Sequence, residues 1–161
     1  MTDRTTEEIN GGTLDVVEGE FITVRQSSVK AVEGGHVELQ QVASLSIDGE
    51  RIEMTQSAAA IVRADEIRLN QGISVITAGN TTNLSYSFSQ ISLSRDTTSV
   101  NRSAVGIIGA KTVVAENSAS LLTIANTVEG QMTTLLDWRS SLALGAVVGG
   151  IMGLFSLFRK K

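Results

Sequence analysis

The chain has 161 residues and a formal net charge of -4, which argues against nucleic acid as its main partner. It contains no cysteine, which excludes disulfides, thiolate nucleophiles and cysteine metal sites. It also contains no proline and only 4% aromatic residues, as expected of a chain that pairs its backbone along most of its length around a thin core.

Residues 1–6 form a polar N-terminal tail. The opening MTDRTTEE has no basic region followed by an apolar one, so no cleavable secretory signal is expected. From Glu7 onward the chain repeats. Ile22-Thr23-Val24-Arg25-Gln26, Val37-Glu38-Leu39-Gln40-Gln41, Ile52-Glu53-Met54-Thr55-Gln56 and Ile67-Arg68-Leu69-Asn70-Gln71 each begin fifteen residues after the last. With Ile22 as position one, positions one and three are apolar and position five is Gln in all four. One extra residue near Thr97 shifts the frame. Position thirteen is always small: Gly19, Gly34, Gly49, Ala64, Gly79, Ser94, Ala110 and Ala125.

Fifteen residues are too few for a helix-turn-helix unit, and apolar alternation at positions one and three is strand-like. The expected fold is mainly β: a single-stack β-solenoid of about eight fifteen-residue coils over residues 7–127. Each coil has three short faces, with the first and third residue of each face pointing inward. Stacked strands lie about 4.8 Å apart, so eight coils make a rod about 38 Å long. The Gln column is expected to form an amide ladder at a corner.

Charge is uneven along the rod. Residues 1–70 hold 13 Asp/Glu and 6 Lys/Arg, whereas residues 71–136 hold 3 and 3. Outward positions change character with it. Position nine passes from Asp15 and Lys30 to Val75 and Leu121. Position twelve passes from Glu18, Glu33 and Asp48 to Leu93 and Ile124. Position seven gains Ile73 and Phe88, and position ten holds Ile61, Ile76, Ile91, Ile107 and Leu122. A thin coil has no room inside for all of these. Ile73, Val75, Phe88, Leu93, Leu121 and Ile124 are therefore the candidates for a lateral interface between copies.

Catalytic signals are sparse. His36 is the only histidine and is expected on a corner. Asp48, Glu50, Asp65 and Glu66 could gather around a hard cation, but Arg51, Arg63 and Arg68 lie close by, which favours a solvated ion-pair face. Serine and threonine are abundant, yet no base accompanies a candidate nucleophile. The chain is not expected to be an enzyme, and no catalytic, cofactor-binding or metal-binding residue, cofactor or small-molecule substrate is assigned.

Residues 128–139 are expected as a connecting and capping segment, with Thr133 or Thr134 as a helix N-cap. Residues 140–158 are expected as a transmembrane helix, and 159–161 as a basic tail. Ser141 to Phe158 runs 18 residues without a charge, about 27 Å as a helix and close to a thin hydrocarbon core. Trp138 and Arg139 at one end, and Arg159, Lys160 and Lys161 at the other, suit the two membrane interfaces. Gly145, Gly149 and Gly153 recur every four residues and make a stripe suited to helix self-association in lipid. With a single pass, the solenoid is expected on the cytoplasmic side, although that sends Arg159-Lys160-Lys161 outward, against the positive-inside tendency.

The repeat followed by an anchor resembles the bactofilins, bacterial β-solenoid proteins that polymerise and attach to membranes. The resemblance covers residues 7–127 and is architectural. The strict fifteen-residue period, the Gln column and the C-terminal span depart from the family. Hexapeptide acyltransferases and antifreeze solenoids fit less well, since the hexad spacing is absent and Thr81, Thr112 and Thr127 make only a partial column. The leading expectation is a membrane-anchored, self-assembling structural protein whose partners are membrane lipid and copies of itself. The alternative is a subunit of an oligomeric membrane complex surrounding a pore or lumen.

Overall fold

A computed structural model describes residues 6–136. They form six strands in one parallel sheet whose order follows the sequence: β1 (Thr6–Gln40), β2 (Ala43–Thr55), β3 (Ala58–Asn70), β4 (Ile73–Ser85), β5 (Phe88–Asn101) and β6 (Ala104–Leu136). Neighbouring strands pair at an offset of fifteen residues, as in Val37↔Ile52↔Ile67 and Leu39↔Met54↔Leu69. The chain is thus a mainly β, parallel β-solenoid of about six turns. The segment after Thr127 differs from expectation. It continues β6 in extended form to Leu136, so Thr133 and Thr134 lie in a strand and do not cap a helix. Residues 140–158 and the basic tail lie outside the described residues.

Three faces follow from burial. Positions one, three, six, eight and eleven are buried in nearly every turn, and position thirteen, always small, is half-buried or buried. Each face therefore reads inward, outward, inward, and two outward or half-buried residues separate it from the next. These pairs, at positions four and five, nine and ten, and fourteen and fifteen, are the corners. The core is filled by stacked aliphatic columns such as Val37, Ile52 and Ile67, all fully buried. Each large aliphatic taken out of water contributes about 1.5–3 kcal/mol.

The corner at positions four and five is built the same way each time, at seven residues along the chain. Gln26, Gln41, Gln56, Gln71, Tyr86, Arg102 and Asn117 all have positive φ, between 45° and 55°. This left-handed step breaks the in-out alternation and turns the chain onto the next face. For residues other than Gly or Asn it costs about 1–2 kcal/mol each. The side chains recover part of that. Gln26 Nε2 donates to Gln41 Oε1 at 3.2 Å, Gln41 to Gln56 at 3.2 Å and Gln56 to Gln71 at 3.1 Å. The expected amide ladder is present. Below it, Arg102 donates to the Tyr86 hydroxyl and its guanidinium lies 5.6 Å from the Tyr86 ring centre.

Position six solves a second problem at this corner. The position-five N–H reaches a carbonyl of the following turn (Gln41 N to Thr55 O, 3.0 Å), and the position-seven N–H reaches one of the turn before (Ala58 N to Val42 O, 2.8 Å). The position-six N–H between them is left to a serine hydroxyl of the following turn. Val42 N donates to Ser57 Oγ at 3.1 Å, Gly72 N to Ser87 Oγ at 3.1 Å, Ser87 N to Ser103 Oγ at 2.9 Å and Ser103 N to Ser118 Oγ at 3.3 Å. Each hydroxyl also faces carbonyls, as Ser103 Oγ does those of Asn101 (2.8 Å) and Leu84 (3.3 Å). A buried backbone donor without a partner is costly, which explains why small hydroxyl residues recur here.

The extra residue falls where the sequence frame shifts. Gly79 pairs with Ser94 but Thr81 pairs with Thr97, so Arg95 and Asp96 oppose Asn80 alone. The same insertion faces β6, where Leu93 pairs with Gly109 and Thr97 with Thr112. It is a two-against-one bulge at the fourteen-fifteen corner, the place in the turn where an unpaired residue disturbs the core least.

Candidate interaction surface

Leu69 to Ser94 is a run of 26 consecutive residues without a charge. This stretch is inverted relative to the turns before it. Its interior is hydroxyl-rich: Ser74, Thr77, Thr82, Ser89, Ser92 and Ser94 are all buried. Ser94 Oγ donates to Thr82 Oγ1 at 2.8 Å and accepts from Thr98 Oγ1 at 2.9 Å. Ser74 Oγ and Ser92 Oγ have no partner among the described residues. Its exterior carries large apolar side chains among uncharged polar ones. Ile73 is 58% exposed, and Phe88, next to it in register, is 44% exposed.

All six interface candidates from the sequence are exposed: Ile73, Val75, Phe88, Leu93, Leu121 and Ile124. Ile73 and Phe88 stand in the middle of the second face, at position seven. Val75 and Leu121 stand on the adjoining corner at position nine. Leu93 and Ile124 stand in the middle of the third face, and Leu93 leans over Gly109, where an added Cβ would lie 2.9 Å from its Cδ2. Together they form a stripe around one corner. The position-ten residues Ile61, Ile76, Ile91, Ile107 and Leu122 are half-buried in that corner, so they edge the stripe and do not form a separate exposed row. Leu45, exposed at position nine two turns above Val75, belongs to the same line.

The opposite corner, at positions fourteen and fifteen, is charged. There Arg51 reaches Glu66 at 2.7 Å; beside it on the first face Arg68 reaches Glu66 at 2.6 Å and Glu53 at 3.4 Å, and on the third face, at position twelve, Arg63 lies 3.9 Å from Asp48. Asn80 donates to Asp65 Oδ1 at 2.7 Å. Desolvation raises the Glu66 carboxyl, but the hydrogen bonds and charges of Arg68 and Arg51 outweigh it and hold the group below its ordinary value of 4.5. Of the four acids that could have shared a cation, Glu66 and Asp48 face arginines and Asp65 accepts from Asn80. Among the described residues no group of three or more His, Asp or Glu could hold a metal ion. His36 sits on this corner, half-buried, with its ring centre 6.2 Å from that of Phe21.

Gly145, Gly149, Gly153, Trp138, Arg139, Arg159, Lys160 and Lys161 lie outside the described residues. Among the described residues no helix is long and apolar enough to cross a membrane. Comparison with protein-family models, curated proteins and solved structures finds no match to the chain; the architecture shown is that of a parallel β-solenoid.

Proposed function

We propose that the chain is a membrane-anchored, self-assembling structural protein without catalytic activity. Its solenoid counts eight coils, is held at the bilayer by a helix over residues 140–158, and joins copies of itself through the stripe from Ile73 to Ile124. The observation that carries this reading is the reversal of exterior chemistry along position twelve of one regular rod, from the paired Asp48 and Arg63 to the exposed Leu93 and Ile124. A soluble monomer gains nothing from a row of exposed aliphatics, whereas an interface core does.

The eight-coil count is supported at both ends. β1 and β6 run 35 and 33 residues, each longer than two periods. Lys30 pairs with Asp15 fifteen residues earlier, at 2.7 Å. The anchor is supported by the 18 uncharged residues from Ser141 to Phe158 between Trp138-Arg139 and Arg159-Lys160-Lys161. In lipid, Gly145, Gly149 and Gly153 would bring neighbouring helices together. The solenoid then lies on the cytoplasmic side.

Vesicle co-flotation of the full chain tests the anchor, and dye release separates a scaffold from a complex that surrounds a pore. Flotation that survives high salt, without release of a small entrapped dye, is expected. A chain left at the bottom of the gradient contradicts the anchor, and rapid release favours the pore. Gly149→Leu is expected to reduce the size of the detergent-solubilised assembly; unchanged size counts against the glycine interface.

A further inference from the structure

The three faces differ in the charge of their central columns. Position two on the first face carries Glu38, Glu53 and Arg68, and position twelve on the third carries Glu33, Asp48 and Arg63. Position seven, on the second face, carries no charge from Thr13 to Ala119. It reads Ser28, Ala43, Ala58, Ile73, Phe88 and Ala104, all exposed and aligned row on row. Two large side chains thus stand in the middle of a column of small ones. Over Ala43 and Ala58 the face is the floor of an open groove walled by Gln41, Gln56 and Gln71. A face of this kind can pack against another sheet without burying an unpaired charge.

We propose that the second face packs against the second face of another copy, with the two rods antiparallel about a two-fold axis. The inference rests on the reading that copies join, and adds the face and the direction. Size decides the direction. Parallel rods would set Ile73 on Ile73 and Phe88 on Phe88, which holds the alanines of the two copies apart over a void. Antiparallel rods reverse one column against the other. In one register Phe88 enters the groove over Ala43 of the other copy, Ile73 meets Ala58, and Ser28 meets Ala104. The contact is isologous, so each of these is made twice. The other register that sets both large side chains on alanine, on Ala104 and Ala119, overlaps fewer rows.

The borders of the face agree with that register. A two-fold axis along the strands keeps each corner beside its counterpart. At the glutamine corner Gln41 comes to Tyr86, Gln56 to Gln71 and Gln26 to Arg102. At position nine Leu45 comes to Gln90, Ala60 to Val75 and Lys30 to Gly106. No charge meets a like charge, and the exposed Leu45 and Val75 gain cover. Gln41 and Gln56 each spend one N–H and one oxygen lone pair on the ladder, which leaves a second of each for the facing copy. The eight rows from Thr13 to Ala119, five residues wide, cover about 16 Å by about 38 Å. That is about 600 Å² per copy and about 1,200 Å² in all, the lower end of what a stable pair needs.

The chain lacks cysteine, so single cysteines report directly. Full-length Ser28→Cys and Ala104→Cys, both at exposed sites, are oxidised with copper-phenanthroline in mild detergent at micromolar protein, each alone and after co-expression. Circular dichroism and light scattering establish beforehand that both match the wild type. In the proposed pair the Ser28→Cys site of one copy meets the Ala104→Cys site of the other, whereas two Ser28→Cys sites lie five rows, about 24 Å, apart. A disulfide-linked dimer is expected only from the co-expressed sample, in about half of its chains. Linkage of either variant to itself overturns the proposal, because parallel rods or another register then join the copies. A multimer that links in no sample overturns it too, and leaves the joining of copies through Leu93 and Ile124 standing. A wild type that is monomeric by light scattering removes both readings.

Discussion

The serine column makes an unusual prediction, because one substitution should act in opposite directions at two equally buried sites. Ser103 Oγ accepts the Ser87 N–H at 2.9 Å and donates toward the Asn101 carbonyl at 2.8 Å. Ser103→Ala keeps the Cβ and the corner geometry but strands a buried backbone donor. An unsatisfied buried donor costs about 1–3 kcal/mol, and that is the destabilisation expected. Ser92 is fully buried too, yet its hydroxyl has no partner among the described residues. Ser92→Ala removes a desolvated hydroxyl with no bond to lose, so it is expected to be neutral or to stabilise by up to about 1–2 kcal/mol. Urea denaturation of the full chain in mild detergent, followed by far-ultraviolet circular dichroism, measures both. Amide hydrogen exchange at Ser87 gives a local reading, which should quicken only in Ser103→Ala. Equal losses at the two sites would refute the assignment of the column to backbone satisfaction.

Further predictions concern the corners. Gln56→Asn should be tolerated to within about 1 kcal/mol, since Asn accepts the left-handed conformation, whereas Gln56→Val should cost more than about 2 kcal/mol because a β-branched residue there is a genuine outlier; thermal denaturation ranks the two. Deleting Asp96 removes the bulge and restores an offset of fifteen throughout, so circular dichroism should still report a folded solenoid, and loss of the β signal would mean that the bulge is required. The carboxyl of Glu66 is held below its ordinary value, so its ion pairs contribute above the unfolded pKa and are lost as pH falls through the lower folded value. Below about pH 5 the wild type should therefore lose about 0.3–1 kcal/mol that Glu66→Gln does not lose, as expected of exposed pairs.

Much of the architecture was legible because the period is strict. Positions one, three, six, eight and eleven could be assigned inward from Ile22, Val24 and their fifteen-residue relatives, and the frame shift near Thr97 located the bulge. The glutamines were legible as a ladder because identical side chains at one position must stack. Their left-handed backbone was not, since Gln is a poor residue for positive φ and no glycine marks the turn. The strand geometry that follows the expected end of the repeat was not legible. After Thr127 the apolar pattern fades, yet Met132 still closes the interior beneath Ser120 and Thr123, and strand geometry persists to Leu136. The interface candidates were legible as polarity breaks at outward positions, although position ten proved half-buried because a corner residue between two faces is covered from both sides. The inverted interior of Ser74, Thr77, Ser89 and Ser92 went unread, because isolated Ser and Thr in a strand look alike facing in or out.

The mass of the full-length complex in detergent, measured by light scattering at micromolar protein beside Phe88→Glu, bears most directly on self-assembly. A multimer that Phe88→Glu reduces toward single chains is the expected result, because a buried, unpaired carboxylate is not tolerated at an interface core. A wild-type chain that remains strictly monomeric contradicts the account.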